Sequence, residues 1–407
     1  MKMITTRFLC TCGMLFSFLS AFAQPVECDG RRYIFGNFEV DSTMAVPFGQ
    51  SVTLGGDTLE LAMDVYEPAN DDAPSRPLIV MAHGGAFVQG DRSQLRGLSI
   101  AYAEAGYVCA TISYRLIDIE LTDSTTFGEG VLMAIADMRA AIRYFRQDAA
   151  GDNTWNINPN TIYAGGASAG AVMSANLAML DRDDEIPEYI QELIDRNGGF
   201  EGNTNDITEY TSEVQGAILY SGSILRTSWM DADDPPYVAF HEEFDPIVPC
   251  GYASTDVVDF EAFAYGACAM QERAEEVGLR QTTTIFRGDS SHVGYFSGFN
   301  QTAVVISSFS FLEDLYCSQT NTVSIDPSLN ASLQLYPNPA SDRIVISSDA
   351  TQARGEMEII DLEGRSLFKE NIQTNAEISL PDIASGMYQV IFTTHKGRRA
   401  VKKLLIQ

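Results

Sequence analysis

The chain has 407 residues, 45% of them apolar, enough for a sizeable core and for two domains or one large domain with an appendage. A formal net charge of −29 argues against nucleic acid or anionic lipid as a partner, since a polyanion repels both. No apolar segment reaches the roughly 20 residues a membrane-spanning helix needs, so the composition is that of a soluble globular protein.

Residues 1–23 carry Lys2 and Arg7, then an apolar run around Met14 to Leu19, then Ala21-Phe22-Ala23. This is the pattern of a secretory signal peptide cut before Gln24. Cys10 and Cys12 leave with it, and the odd set Cys28, Cys109, Cys250, Cys268 and Cys317 leaves at least one thiol unpaired. Cys109 sits in an apolar run and reads as a small buried hydrophobe. Export makes a Cys250–Cys268 bridge reasonable, and Cys28 with Cys317 would tie the two ends of the first domain, although spacing does not fix connectivity.

In chain order, residues 33–40 suggest an edge strand. A hairpin follows, from Ser51 to Leu54 and Thr58 to Tyr66 around Gly55-Gly56-Asp57, and period two in its second strand predicts one wet face. Leu78 to Ala82 is an uninterrupted apolar run of the kind found in a parallel sheet covered on both sides. It ends in His83-Gly84-Gly85-Ala86-Phe87, where glycines let backbone N–H groups face a cavity and bind an oxyanion. Next come a helix near 94–105, a strand at 107–114, a polar loop at 116–128 and a long helix. In that helix Val131, Ile135, Met138, Ile142 and Phe145 share one face, with Arg139, Arg143 and Arg146 on others.

The short strand Thr161 to Ala164 then runs into Gly165-Gly166-Ala167-Ser168-Ala169-Gly170 and a helix from Ala171 to Leu180. Strand, sharp turn and helix around Gly-x-Ser-x-Gly form a nucleophile elbow, in which small residues flank a serine held in a strained conformation. An acidic insertion spans 181–212, and strands follow at 216–220, 237–241 and 282–286, with helices around 260–277 and 302–316. Alternating strands and helices imply an α/β fold with a mainly parallel sheet, whose chemistry gathers at the carboxyl ends of strands. Loops 83–93, 115–129, 221–236, 242–257 and 287–299 then ring the site. The insertion follows a helix and is expected at the opposite rim, not as a lid. Trp229, Met230, Tyr295, Phe296 and Phe299 are candidates for a pocket lining.

A serine hydroxyl needs a base, and the chain has four histidines. His83 belongs to the oxyanion loop, His241 ends a strand and His395 lies in the tail, which leaves His292 after the last strand. The acid falls between Ser168 and His292 in the order serine, acid, histidine. Asp245 is the choice, with Glu242, Glu243 and Asp256 as rivals.

With these residues the stretch from Tyr33 to Tyr316 resembles the α/β-hydrolase superfamily, in particular carboxylesterases and lipases with a His-Gly-Gly oxyanion loop. The resemblance implies ester hydrolysis with Ser168 as nucleophile, His292 as proton shuttle and Asp245 orienting it. The oxyanion would be held by N–H groups of Ala169 and of Gly85 or Ala86, without metal or organic cofactor. Ala86 stands where many relatives have a third glycine. The implied partner is a small ester. A serine peptidase of the same fold shares the triad, but it usually carries a large domain ahead of the catalytic one; a catalytically silent, surface-binding hydrolase fold is the third alternative.

After a linker at 318–331, residues 332–407 read as a small all-β sandwich of nearly neutral charge. Leu335-Tyr336-Pro337-Asn338-Pro339-Ala340, Ile360 to Arg365, Ser385-Gly386-Met387-Tyr388 and the closing Lys402 to Ile406 are similar to the C-terminal sorting domain of the Bacteroidetes type IX secretion system. That resemblance implies the secretion machinery as partner and delivery to the cell surface or the medium.

Overall fold

The computed structural model describes residues 32–36, 38–255, 258–297, 300–321, 332–348, 354–360, 366–381, 383–394 and 399–407. The leader, Cys28 with its expected bridge, Asp256, Phe299 and His395 lie outside the described residues.

A hairpin of β1 (Val40–Val52) and β2 (Thr58–Pro68) opens the sheet, followed by β3 (Arg76–Ala82), α1 (Arg96–Glu104), β4 (Val108–Ile112) and α2 (Ser124–Ala150). β5 (Ile157–Ala167) leads into α3 (Ala169–Met179), then come α4 (Glu188–Arg196), β6 (Ala217–Tyr220), β7 (Ser223–Ile224) and β8 (Tyr237–Glu242). β9 (Tyr252–Ser254) and β10 (Phe263–Gly266) form a small ladder with β7, and α5 (Ala267–Val277), β11 (Gln281–Phe286) and α6 (Asn300–Asn321) complete the first unit. The main sheet has eight strands in the order β1-β2-β4-β3-β5-β6-β8-β11, antiparallel at the β1-β2-β4 edge and parallel from β4 onward.

Every residue of β3 is buried, as a central strand covered on both faces requires. On one face Leu78, Val80, Val108 and Ile162 pack with Ile135, Met138 and Ile142 of α2 and with α3. On the other, Ile79, Met81 and Tyr163 meet Tyr102 of α1 and Leu312 and Leu315 of α6. Cys109 is a buried free thiol whose pKa burial pushes up to about 12, and Cys250 is bonded to Cys268.

Four local expectations change. The edge strand begins only at Val40, and the described residues ahead of it are not strand: Tyr33 has φ 73° and packs its ring on Tyr107 and Tyr316. The second hairpin strand has no wet face over its later half, because Asp64 is buried with Arg92 at 2.8 Å and Tyr66 is buried beside it. The long helix begins at Ser124 rather than after 128, since the Asp123 carboxylate accepts the N–H groups of Thr125 and Thr126 at 2.9 Å each and caps it. The helix expected from 260 starts at Ala267, and the aromatic residues ahead of it form β10.

The insertion departs furthest from expectation. Its later part wraps α2 and buries the three arginines: Arg143 pairs with Glu201 at 2.8 Å, Arg146 donates to the carbonyls of Thr211 and Glu213, and Arg139 stacks on Phe200 at 3.8 Å. Its earlier part is α4, whose Ile190, Leu193 and Ile194 are buried at helical spacing.

From 332 onward, β12 (Leu333–Tyr336), β13 (Arg343–Ser348) and β16 (Glu377–Ser379) make one antiparallel sheet. β14 (Arg354–Ile360), β15 (Ser366–Gln373), β17 (Gly386–Thr394) and β18 (Arg399–Ile406) make another, and the two share a core around Ile344, Ile359, Val390 and Leu404. The asparagine of the Tyr-Pro-Asn-Pro stretch has a structural reason. Asn338 donates to the carbonyl of Lys403 at 2.7 Å and accepts from the N–H of Leu405 at 2.8 Å, tying that turn to the closing strand. No helix among the described residues is long and apolar enough to cross a membrane.

Where α3 ends, two acidic turns face each other. Asp184 accepts the N–H of Asp181 and Asp234 that of Asp231, both at 2.8 Å. Burial, with the charges of Asp231, Asp181 and Asp184 adding to it, pushes the Asp234 carboxyl up to about 7. Its folded pKa lies above the unfolded one, so its contribution to stability is present below the ordinary carboxylate range and is lost as pH rises through about 7. Asp234→Asn keeps the acceptor for the Asp231 N–H. It is expected to raise the unfolding midpoint by about 2–4 °C near pH ~8.5 and by less than half as much near pH ~5. Thermal unfolding at the two pH values checks this, and equal shifts at both would contradict it.

Candidate active site

Ser168 sits between β5 and α3 with φ 55° and ψ −119°, a conformation that a non-glycine residue holds only when its surroundings impose it. The surroundings are backbone. A Cβ on Gly170 would stand 1.9 Å from the carbonyl oxygen of Ala82, and one on Gly166 would stand 2.3 Å from the carbonyl carbon of Gly170. The Ser168 N–H donates to the carbonyl of Tyr220 at 2.8 Å, which fixes the turn from the neighbouring strand.

The end of β8 and the loop after β11 bring two further side chains to this serine. His292 Nε2 lies 2.8 Å from Ser168 Oγ, and His292 Nδ1 lies 2.6 Å from Asp245 Oδ2. The other oxygen of Asp245 accepts the N–H groups of Ile247 and Val248 at 2.8 and 3.0 Å, so the buried carboxylate is turned with Oδ2 toward the imidazole. An acceptor at Nδ1 fixes the tautomer that leaves Nε2 free to take a proton from the serine. Buried His241 lies beside the same acid, at 3.6 Å, and donates instead to the carbonyl of Val248 at 2.8 Å. Burial depresses its pKa, so it stays neutral.

Glu243 faces away from His292, toward Arg287 and the N–H of Gly288, each at 2.8 Å. Glu242 is fully buried and accepts from Ser221 and from the N–H of Gly294.

The His83–Phe87 loop turns sharply beside the serine. Gly85, Ala86 and Phe87 have φ values of 122°, 54° and 64°, and the carbonyl of Gly85 is taken by the N–H groups of Val88 and Gln89 at 3.1 Å. His83 holds the base of the turn. Its ring stacks on Tyr114 at 4.3 Å, its Nδ1 bonds the carbonyl of Gly84 at 2.7 Å, and burial lowers its pKa, so it is a neutral strut. The N–H of Ala169 is the first of α3 and has no partner within the helix, as helix geometry dictates.

Two spaces meet at Ser168. A cavity of about 370 Å³ runs from Ala86, Ser168 and Ala169 between the start of α2, α4 and the β9–β10 ladder, with Phe87, Phe127, Val131, Leu225 and Tyr265 among its walls. A more open cleft on the other side is lined by Gly84, Gly85, Gln89, Gln94, His292 and Phe296. All five loops expected around the site contribute to one space or the other.

The expected pocket aromatics mostly do not line these spaces. Trp229 and Met230 are core residues, Tyr295 is buried against Ser221, and only Phe296 of the described four reaches the cleft. The cavity instead uses Tyr252 and Tyr265, stacked at 4.4 Å on the β9–β10 ladder, and Tyr189, Ile190 and Leu193 of α4. The insertion is therefore part of the site wall, against the expectation that it lies at the far rim. Its signal in the sequence was the triplet Ile190, Leu193 and Ile194, and that of the ladder the alternation Phe263-Ala264-Tyr265. Among the described residues no group of three or more His, Cys, Asp or Glu side chains is placed to hold a metal ion.

Parts of the chain are similar to known proteins. Residues 63–223 match the family model BD-FAE, and residues 334–407 match the secretion system C-terminal sorting domain. Esterase-5C of Drosophila miranda is 30% identical over 123 residues, 30% of this chain and 22% of that protein. Esterase-5A of Drosophila persimilis is 30% identical over 197 residues, 48% of this chain and 30% of that protein. The chain thus spans less than a third of the length of these curated relatives. Among solved structures, propionate-bound esterase 2 of Thermogutta terrifontis is 21% identical, with a TM-score of 0.47 over 69% of this chain and 97% of that one. A truncated carbohydrate esterase from gut microbiota is 16% identical, with a TM-score of 0.49 over 68% and 98%. The chain thus carries a stretch similar to the BD-FAE family at 63–223, within the large mixed sheet, and one similar to the secretion system C-terminal sorting domain at 334–407.

Proposed function

We propose that the protein is a secreted serine carboxylesterase in which Ser168, His292 and Asp245 form the catalytic triad. The observation that carries this reading is the continuous relay of 2.8 and 2.6 Å from serine to imidazole to a buried carboxylate. His292 Nε2 takes the proton of Ser168 as Oγ attacks the ester carbonyl, and Asp245 stabilises the imidazolium that forms. The negative oxygen is received by the N–H of Ala169 and that of Gly85 or Ala86, each donor contributing a few kcal/mol to transition-state stabilisation. Imidazolium then gives its proton to the leaving alcohol, an acyl-enzyme remains, and water repeats the sequence in reverse roles. The reading needs no metal or organic cofactor.

The two spaces divide the substrate. The proton for the leaving alcohol comes from His292, which lines the more open cleft and not the largely apolar cavity, so the alcohol departs through the cleft and the acyl group occupies the cavity. Residues 24–317 are the catalytic unit in this reading and 332–407 the address read by the type IX machinery, with the cell surface or the medium as destination.

Ser168→Ala and His292→Ala are expected to lower kcat for 4-nitrophenyl esters by about 10³-fold or more, and Asp245→Asn by about 10²-fold or more. Steady-state kinetics on folded variants check this, and parental turnover in Ser168→Ala would overturn the mechanism. The Cys250–Cys268 bridge joins positions 18 apart in sequence, and the loop it closes includes part of the cavity wall. Replacing both cysteines by serine is expected to cost about 3 kcal/mol of stability. It is also expected to raise KM for hexanoate or cinnamate esters more than for acetate. Thermal unfolding with an acyl-length series measures both, and a uniform KM change across the series would contradict the placement of the acyl group.

A further inference from the structure

Glu242 ends β8 three residues before Asp245, and its side chain is fully buried. One carboxylate oxygen accepts the N–H of Gly294 at 2.6 Å and stands 3.4 Å from the hydroxyl of Ser291. The other accepts the hydroxyl of Ser221 at 2.8 Å. Its backbone carbonyl accepts the N–H of Asp245 at 3.3 Å. Ser291 and Gly294 bracket His292, so one residue touches the loop of the acid through its main chain and both flanks of the base through its side chain.

The His292 turn needs such support. Val293 is held at φ 55°, unfavourable for a β-branched residue, and a Cβ on Gly294 would stand 2.1 Å from Ser291 Oγ. The opposite side of the brace is equally fixed. Ser221 has φ 52°, its N–H donates to the carbonyl of Phe240 at 2.8 Å, and its hydroxyl lies 2.8 Å from that of Tyr295, which donates to the same carbonyl at 3.2 Å. Among the described residues Glu242 has no lysine or arginine partner. A buried carboxylate without a cation is costly, and here it is offset by hydrogen bonds that all converge on the histidine loop and its support.

We propose that Glu242 is a positioning residue, which sets the turn carrying His292 so that Nε2 stays within hydrogen-bonding reach of Ser168 Oγ. The inference rests on the serine-esterase reading above. A displacement of about 1 Å in a catalytic group costs about 10²-fold in rate while leaving substrate binding alone. Glu242→Ala is therefore expected to lower kcat, counted per fluorophosphonate-titrated site, by about 10²-fold with KM within about threefold of the parent. Glu242→Gln keeps the acceptor for the Gly294 N–H and is expected to recover kcat to within about fivefold. Ser221→Ala releases one carboxylate oxygen and is expected to lower kcat by about three- to tenfold at unchanged KM. A merely structural role would lower the unfolding midpoint without changing kcat per site. Parental kcat in Glu242→Ala, a loss confined to KM, or a glutamine variant no better than alanine would overturn the proposal. Should Glu242→Ala not fold, parental kcat in Ser221→Ala overturns it. An inactive parent, or a fully active Ser168→Ala, would sink the esterase reading, whereas an active parent with unaltered variants sinks the positioning role alone.

Discussion

The close approach of α3 to the end of β3, with Gly170 against the carbonyl of Ala82, is the constraint on which the rest of the site depends. It leaves no room for a side chain at 166 or 170 and forces Ser168 into its positive-φ conformation. It also aims the start of a helix at the serine. The cost of the strained turn is met by the sheet, since β5 lies between β3 and β6 and its backbone cannot relax without breaking two ladders. A strained residue persists only where its surroundings over-determine it, and a central parallel strand is such a place.

Around that point each group of the proposed triad is held through a second one. Asp245 is turned by two backbone N–H groups, His83 is clamped by Tyr114 beneath the 83–87 loop, and Glu242 accepts the N–H of Gly294 beside His292. These supports are buried and polar, and each is satisfied by hydrogen bonds rather than by opposite charge. In a chain with 55 acidic and 26 basic residues, the arginines are spent elsewhere: Arg115 on Asp137, Arg76 on Asp71 and Glu67, and Arg143 on Glu201. The acidity thus shapes the scaffold and its pH response while the site relies on hydrogen-bond geometry.

Much of this was legible in the sequence because local physics dictates it. Continuous apolar runs marked β3 and β4, small residues marked the elbow, and the order of strand-end loops pointed to Asp245 and His292 among a handful of candidates. What escaped was set by tertiary context. Asp64 and the arginines of α2 read as polar, yet each is buried because a partner distant in sequence covers it. The insertion read as a rim because it follows a helix, but α4 folds back along α2 to the cavity. The lining aromatics were sought on loops 221–236 and 287–299, whereas Tyr252 and Tyr265 reach the cavity from a short ladder whose pairing with β7 no local pattern announces. Glu242 was weighed only as a rival acid. The proposal that it braces the His292 turn rests on the convergence of Ser221, Ser291 and Gly294 on it.

The central claim is that Ser168, and no other hydroxyl, is the activated nucleophile of this fold. Treatment of the purified mature protein with a fluorophosphonate, followed by intact-mass measurement and peptide mapping, tests it directly. A single adduct on Ser168, absent from both Ser168→Ala and His292→Ala, is the predicted result. A folded protein that stays unlabelled, or that carries the adduct on another residue, would contradict it.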